Sequence, residues 1–286
     1  MSKTQPAPYQ LHDKNFADMY ERSGKITDLF AQDLIAQSGI VQSSELDLII
    51  FDNACGTGAV SSVLHSALPT GRRSTWQLTC GDVSEDMLEY TRRRMNKEGW
   101  HNAEVKVVDA QDTKLPSAYY THVFSAFAFN LFPHDKSAMK ECVRILRPGG
   151  ILALSTWKSN VWTDTIVAGI AALSGNIPII SQEQLYGLYN TGWDNESHVR
   201  SELEKSGFTD IKVKIVQRRY LVPLNVFVKE CTILIPTVVN TFWTQEQRDQ
   251  YEQELLSAIL RYSKAKYGNE APVEAEAIIA TGRKPW

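Results

Sequence analysis

Three aspartates each close a short apolar run: Asp52 after Leu46–Phe51, Asp82 after Trp76–Cys80 and Asp109 after Glu104–Val108. The first leads into a glycine turn, Cys55-Gly56-Thr57-Gly58. Glycine lets a chain turn sharply and lets backbone amides approach a ligand that a Cβ would hold off. A carboxylate just before that turn repels phosphate and favours a cationic ligand. Asp82 lies 24 residues beyond Gly58, near the distance at which an acid at the tip of a second strand reaches a ribose hydroxyl pair. Asp109 reads either as a strand-end turn acid or as an acceptor from an adenine amino group, with the amide of Ala110 donating to the ring. Together these acids favour a cationic, adenosine-like ligand over a phosphate. A local reading stays open beside it: Ser84, Glu85 and Asp86 make a good helix start, with an N-cap hydroxyl and acids in the first turn. Two other nucleotide sites fail on spacing, because the third glycine of a dinucleotide fingerprint and the lysine of a P-loop are both missing.

The elements that position these residues follow from local pattern. Leu46–Phe51 is β-branched and apolar without helical spacing, so it reads as a buried strand, and Ala59–Leu68 reads as the helix after the turn. Strand, glycine turn, helix is the ligand-site geometry of open α/β sheets. Further strands are expected over 76–80, 104–108, 121–126 and 151–156, with a helix over 135–146. In Leu-Arg-Pro-Gly-Gly, 146–150, glycine is expected to end that helix and proline to prevent its continuation. Upstream, Phe16, Met19, Tyr20, Ile26, Leu29, Phe30 and Ile35 recur at helical spacing, which predicts helices over 11–38 with a break at Gly24. Downstream, 161–244 is an aromatic, apolar insertion holding a helix over 198–206 and a strand over 208–222. A charged helix over 245–267 and a last strand over 273–281 follow.

A chain of 286 residues with 43% apolar content suits one elaborated α/β domain, or one domain with an inserted cap. The net charge of −3 exerts no pull toward nucleic acid, and Arg72-Arg73 and Arg92-Arg93-Arg94 read as solvated faces. Cys55, Cys80, Cys142 and Cys231 lie far apart without C-x-x-C spacing, the pattern of reduced, packed thiols in a cytoplasmic protein with no metal. The first ten residues lack the apolar stretch of a secretory signal, and no run has the length to span a bilayer.

Four motifs occur in order: the Gly-x-Gly turn after Asp52, the 81–88 segment GDVSEDML, the Asp109-Ala110 step and Leu-Arg-Pro-Gly-Gly. With them the chain resembles the class I S-adenosylmethionine-dependent methyltransferases of the ubiquinone-methyltransferase-like type. As a whole it is similar to the fungal gliotoxin-type dithiol bis-thiomethyltransferases. The resemblance implies a Rossmann-like seven-stranded mixed α/β sheet, its final two strands antiparallel at one edge. It implies N-terminal lid helices over 1–40, a methyltransferase domain over 41–286 and a helical, aromatic substrate cap drawn from 161–193 and 223–267. The implied cofactor is S-adenosyl-L-methionine, held by Tyr20, Asp52, Asn53, Ala54, Gly56, Gly58, Asp82, Val83, Met87, Asp109, Ala110, Ser125, Ala126 and Phe127. The implied partner is a small hydrophobic molecule bound near Phe129, Trp162, Tyr189, Trp193 and Trp243. Nucleic acid, membrane insertion and a metal are not expected, and a monomer is.

A sulfonium is already an activated methyl donor, so alignment and exclusion of water matter most. A base is needed only when the nucleophile arrives protonated. The candidates near the methyl end are His134, Asn130 and Tyr20, with Tyr9 and Asp135 behind them, and none stands out. Thr121 stands where the resembled family commonly has an acid, Ala126 where it often has Asn, and Asn130 where its quinone-acting members tend to have His. These departures point away from quinone C-methylation. A thiol, with a pKa near 8.5, ionises partly at neutral pH without a strong base. The expected activity is therefore S-methylation of a dithiol natural product. O- or C-methylation of a polyketide or quinone-type molecule, and a non-catalytic regulatory or scaffold role, are the alternatives.

Overall fold

The computed structural model of the protein describes residues 24–43, 47–188 and 192–286. Its strands are β1 Ile49–Asn53, β2 Gln77–Asp82, β3 Ala103–Val107, β4 Tyr120–Ala126, β5 Leu146–Asn160, β6 Thr209–Pro223 and β7 Glu270–Arg283. They form one sheet in the order β3-β2-β1-β4-β5-β7-β6. β1, Ile-Ile-Phe-Asp-Asn, is almost wholly buried, as befits a central parallel strand covered on both faces. It runs parallel to β2, with Asn53 opposite Gly81, and to β4, with Asp52 opposite Phe124. β2 runs parallel to β3, with Asp82 opposite Val107. Parallel pairing brings carboxyl ends to one edge, so the register delivers Asp52, Asp82 and Asp109 to the same end of the sheet. At the far side, Asp210 meets Arg283 and Gln217 meets Glu274. That opposite order makes β6 and β7 antiparallel, and they lie side by side at the edge.

The chain forms two compact units. The first comprises Met1–Lys158, Gly192–Val216 and Ala277–Trp286, the second Ser159–Thr191 and Gln217–Glu276. In the first unit, α1 Lys25–Ser38 buries Ile26, Phe30, Ala31, Leu34 and Ile35, and Gln37 Nε2 donates to the carbonyls of Lys212 and Ile279. This part of the expected N-terminal helices is packed wall; residues 1–23, with Tyr9 and Tyr20, lie outside the described residues. α2 Ala59–Ala67 follows the glycine turn, and the short α3 Thr70–Arg73 leads to β2. α4 Glu85–Glu98 starts as its sequence predicts: Ser84 Oγ accepts from Met87 N, and Gly99 closes the helix at φ 68°.

One expected connection is different. α5 Asp135–Ile145 already stops at Ile145, because Leu146 is extended and pairs with Tyr120 of β4. Glycine therefore does not end this helix; strand pairing claims Leu146 first, and β5 reaches back to include the whole Leu-Arg-Pro-Gly-Gly segment. Gly149 instead takes φ 75° within the strand and donates to the carbonyl of Lys284. The connection from β3 to β4 is an irregular loop pinned to α5. Thr113 N and Oγ1 donate to Glu141 Oε2 at 2.8 and 2.6 Å, and Arg144 Nη1 donates to the carbonyl of Leu115 at 2.8 Å. The Arg144 guanidinium holds the Glu141 carboxyl down to about 2.

The aromatic insertion is divided between the units. α8 Glu196–Lys205, the start of β6 and Trp193 belong to the first. The second is built from α6 Val161–Ala171, α7 Gln182–Tyr186, α9 Leu224–Cys231, α10 Ile235–Phe242 and α11 Gln245–Tyr267. Pro236 does not break a helix there but opens α10, where its missing N–H costs nothing. α6 and α11 cross closely at Gly169, where a Cβ would lie 2.5 Å from Ile259. Capping boxes at Ser181 and Thr244 set the starts of α7 and α11.

Candidate active site

Beyond β1 the chain makes a tight turn whose bonds knit three elements together. Cys55 N donates to the carbonyl of Gly81 at 3.0 Å, and Gly58 N to the carbonyl of Cys55 at 2.9 Å. Thr91 Oγ1, from α4, donates to the carbonyl of Gly56 at 2.7 Å. Gly56 and Gly58 have φ of 53° and 79°, and a Cβ on Gly58 would press on Thr91 at 3.2 Å and Trp100 at 3.3 Å. Ala54 also takes a positive φ, 55°, which is strained for a residue with a Cβ.

The three acids have different surroundings. Asp52 is 1% exposed; its Oδ2 accepts from Ser61 N at 3.2 Å and Ser61 Oγ at 2.6 Å. Burial pushes its carboxyl up to about 7, against the pull of those two bonds and with a further push from Asp82. Asp52 thus holds the start of α2 through Ser61. Asp82 accepts from Gly56 N through Oδ2 and from Ser84 N through Oδ1, both at 2.9 Å. It is a structural anchor of the turn as well as a strand-tip acid, and a carboxylate's remaining lone pairs suit further donors. Asp109 is exposed and accepts from Gln111 N and Nε2, while Gln111 Oε1 accepts from His134 N at 2.8 Å. Ala110 and Met87 are buried nearby in sequence, and Val83 leaves an apolar side chain 46% exposed at the tip of β2.

The polar atoms of the first unit without a hydrogen-bond partner among the described residues include Asn53 Oδ1 at the end of β1, Ser125 Oγ next to the end of β4, Asn130 Oδ1 beyond β4 and Ser155 Oγ of β5, the pairing partner of Ala126, each on a buried residue. Unpaired buried groups are costly, and a ligand seated at these strand ends would satisfy them. This is the observation by which the residues present fit a polar, amino-acid-bearing nucleoside cofactor. Ala126 joins them at the end of β4. Phe127, at φ 56°, stacks on Trp157 at 3.8 Å, with Phe30 of α1 edge-on to both. A cavity of about 490 Å³ lined by Gln77, Thr79, Asn102, Glu104 and Tyr119 opens at the opposite, amino ends of the strands.

The remaining sequence-predicted residues are dispersed. His134 is exposed and only flanks α5. Phe129 is fully buried and packs on Trp193 at 4.7 Å, and the Trp193 indole donates to Asp135 Oδ2 at 2.9 Å. Both rings belong to the core of the first unit. Trp162 and Trp243 stand in the second unit, and Tyr189 lies outside the described residues. Sequence reasoning missed Ser61, Thr91, Ser155 and Trp157; a hydroxyl or ring beside a strand end carries no signal until the sheet register is known. Among the described residues no group of three or more His, Cys, Asp or Glu could hold a metal ion, and no helix is long and apolar enough to cross a membrane.

A seven-stranded mixed sheet with a glycine turn after its central strand and acids on the following strand tips is the class I methyltransferase fold. Comparison with known proteins agrees. Residues 50–150 match the model of a methyltransferase domain. The chain is 52% identical to Methyltransferase afvD of Aspergillus flavus over 280 residues, 97% of this chain and 96% of that one. It is 39% identical over 274 residues, 95% of each chain, to the acetylaranotin bis-thiomethyltransferase of Aspergillus terreus. Its fold is like that of Haemonchus contortus phosphoethanolamine N-methyltransferase 2 solved with S-adenosyl-L-methionine, with a TM-score of 0.53 at 17% identity, covering 95% of this chain and 60% of that one. The protein belongs to the S-adenosylmethionine-dependent methyltransferases.

Proposed function

We propose that the protein methylates thiol sulfur on a small hydrophobic natural product of the dithiol type. The observation that carries this reading is the 39% identity to a bis-thiomethyltransferase across nearly the whole of both chains. The site's chemistry supports it. S-adenosylmethionine supplies an activated methyl group on a sulfonium. The chain's own unpaired polar atoms at Asn53, Ser125, Asn130 and Ser155 are amides and hydroxyls. Such groups orient an acceptor but take up no proton, which suits a nucleophile that ionises unaided. In this reading Asp82 accepts from the ribose hydroxyls while its backbone bonds keep it in place, and Asp109, steadied by Gln111, accepts from the adenine amino group. The backbone of the glycine turn and Asn53, Ser125 and Asn130 face the amino-acid end of the cofactor.

The test is transfer of a labelled methyl group to ortho-xylylene dithiol and, separately, to catechol. The dithiol should give a labelled thioether, with a rate that rises toward the thiol's own pKa, and His134→Ala should keep activity within about tenfold. Transfer to catechol alone overturns the thiol assignment.

A further inference from the structure

β3 is an end strand of the sheet, paired with β2 on one side only. Its ladder decides which backbone groups are spent. Leu78 N donates to the carbonyl of Asn102 and Val108 N to the carbonyl of Asp82, with Leu78 opposite Ala103 and Asp82 opposite Val107. Backbone groups alternate between the two sides of a strand, so Asn102, Glu104, Lys106 and Val108 turn theirs toward β2. Ala103, Val105 and Val107 turn theirs outward, and among the described residues none bonds these outward amides and carbonyls. Such a row is a template for another strand unless something blunts it. β3 has no proline, its register against β2 is unbroken, and Val107 is 58% exposed beside the open edge.

The side chains choose the occupant. Glu104 and Lys106 stand two apart, on one face of the strand, and Lys106 Nζ meets Glu104 Oε1 at 2.6 Å. Thr79 Oγ1 of β2 donates to that same oxygen at 2.9 Å. Read against itself in the opposite direction, Ala-Glu-Val-Lys-Val is self-complementary. With Val105 facing the second copy's Val105, Glu104 faces Lys106 and Lys106 faces Glu104. In the same register Ala103 faces Val107, so the outward-turned residues oppose one another, as exchanged N–H···O pairs in an antiparallel ladder require. A slip to either side that keeps this phase sets Glu104 against Glu104 or Lys106 against Lys106, and like charges directly opposite are destabilising. The other end strand, β6, offers no such match. It carries Lys212, Lys214, Arg218 and Arg219 against a single acid, Asp210, which Arg283 already holds.

We propose that the outer edge of β3 is a self-association surface, on which a second copy of this chain adds its own β3 antiparallel about a two-fold axis at Val105. The proposal replaces the monomer expected from the sequence. It concerns the first unit alone and stands apart from the choice of methyl acceptor. Five residues a side make a small interface, so the pairing is weak and grows with protein concentration.

The test is sedimentation equilibrium of the full chain at concentrations up to about 1 mM, where small interfaces associate, for the wild type, Glu104→Lys and Lys106→Glu. The wild type should show a reversible monomer–dimer equilibrium. Because the two-fold axis repeats each pair, either single reversal puts two like-charge contacts where two ion pairs stood, and should weaken the dimer by about tenfold. Mixing the two variants should restore association to within about threefold of the wild type, since an edge with two lysines then faces one with two glutamates. A wild type that stays monomeric throughout, single reversals without effect, or no gain on mixing overturns the proposal. Hydrogen exchange of the wild type needs no variant and decides the matter if one fails to fold. Residues 103–107 should exchange more slowly in concentrated than in dilute protein while β6 is unchanged, and unaltered exchange over 103–107 overturns the pairing.

Discussion

The two units solve opposite problems with buried carboxyls. In the first, Asp52 is enclosed but its Oδ2 is held twice by Ser61, and Asp82 is fixed by two backbone amides. In the second, Glu230 is enclosed with a single indole bond. The first arrangement builds a rigid turn, whereas in the second the Trp162 indole alone is seen to donate to the carboxyl among the described residues. Carboxylates held by several donors keep the turn after β1 in one shape, while one held by burial against a single indole is governed by its desolvation.

The strongest way to sharpen this contrast is Gly56→Val. A side chain on a turn residue at φ 53° strains the backbone and fills the ligand's approach. Calorimetry should show cofactor affinity reduced by about 100-fold or more. Asp82→Ala comes next, since it removes a carboxylate that two amides use; a loss of about 1–3 kcal/mol in cofactor binding is expected. An unchanged affinity would sink the ribose assignment.

Stability against pH tests the carboxyls directly. Asp52 is raised in the folded protein above its unfolded value, so between the two values the unfolded chain releases a proton that the folded chain keeps. Stability should therefore fall as pH rises from the ordinary aspartate range to about 7, then level off. Glu230 acts in the same direction and window. Denaturant melts of Asp52→Asn and Glu230→Gln should each show a shallower decline than the wild type, and identical slopes would contradict the burial argument. The smallest effect is expected from Ala54→Gly, which relieves the strain at φ 55° and should stabilise the first unit by about 0.5–1 kcal/mol.

How much of this was legible beforehand differs between the same two regions. Asp82 and Asp109 could be placed because strand, acid and helix start are neighbours in sequence, and parallel pairing then brings the tips together. The end of α5 could not, because Leu146 is taken into β5 by its pairing with Tyr120, a partner distant in the chain. Trp193 read as a pocket candidate in the aromatic cap; in the structure its indole bonds Asp135 and its ring packs on Phe129 in the first unit's core. Glu230 gave no signal at all: its meaning depends on Trp162, which only the packing of α6 against α9 brings within reach.

Cys55 stands inside the cofactor turn, and its thiol is held well above the ordinary range, first by burial and then by Cys80 and the nearby acids. A thiolate there would be a nucleophile toward an alkylating agent bound at the turn. Kept as S–H and enclosed, it is chemically mute, and so are Cys142 and Cys231, pushed up in the same way by burial. A methyltransferase is thereby spared from methylating its own cysteines.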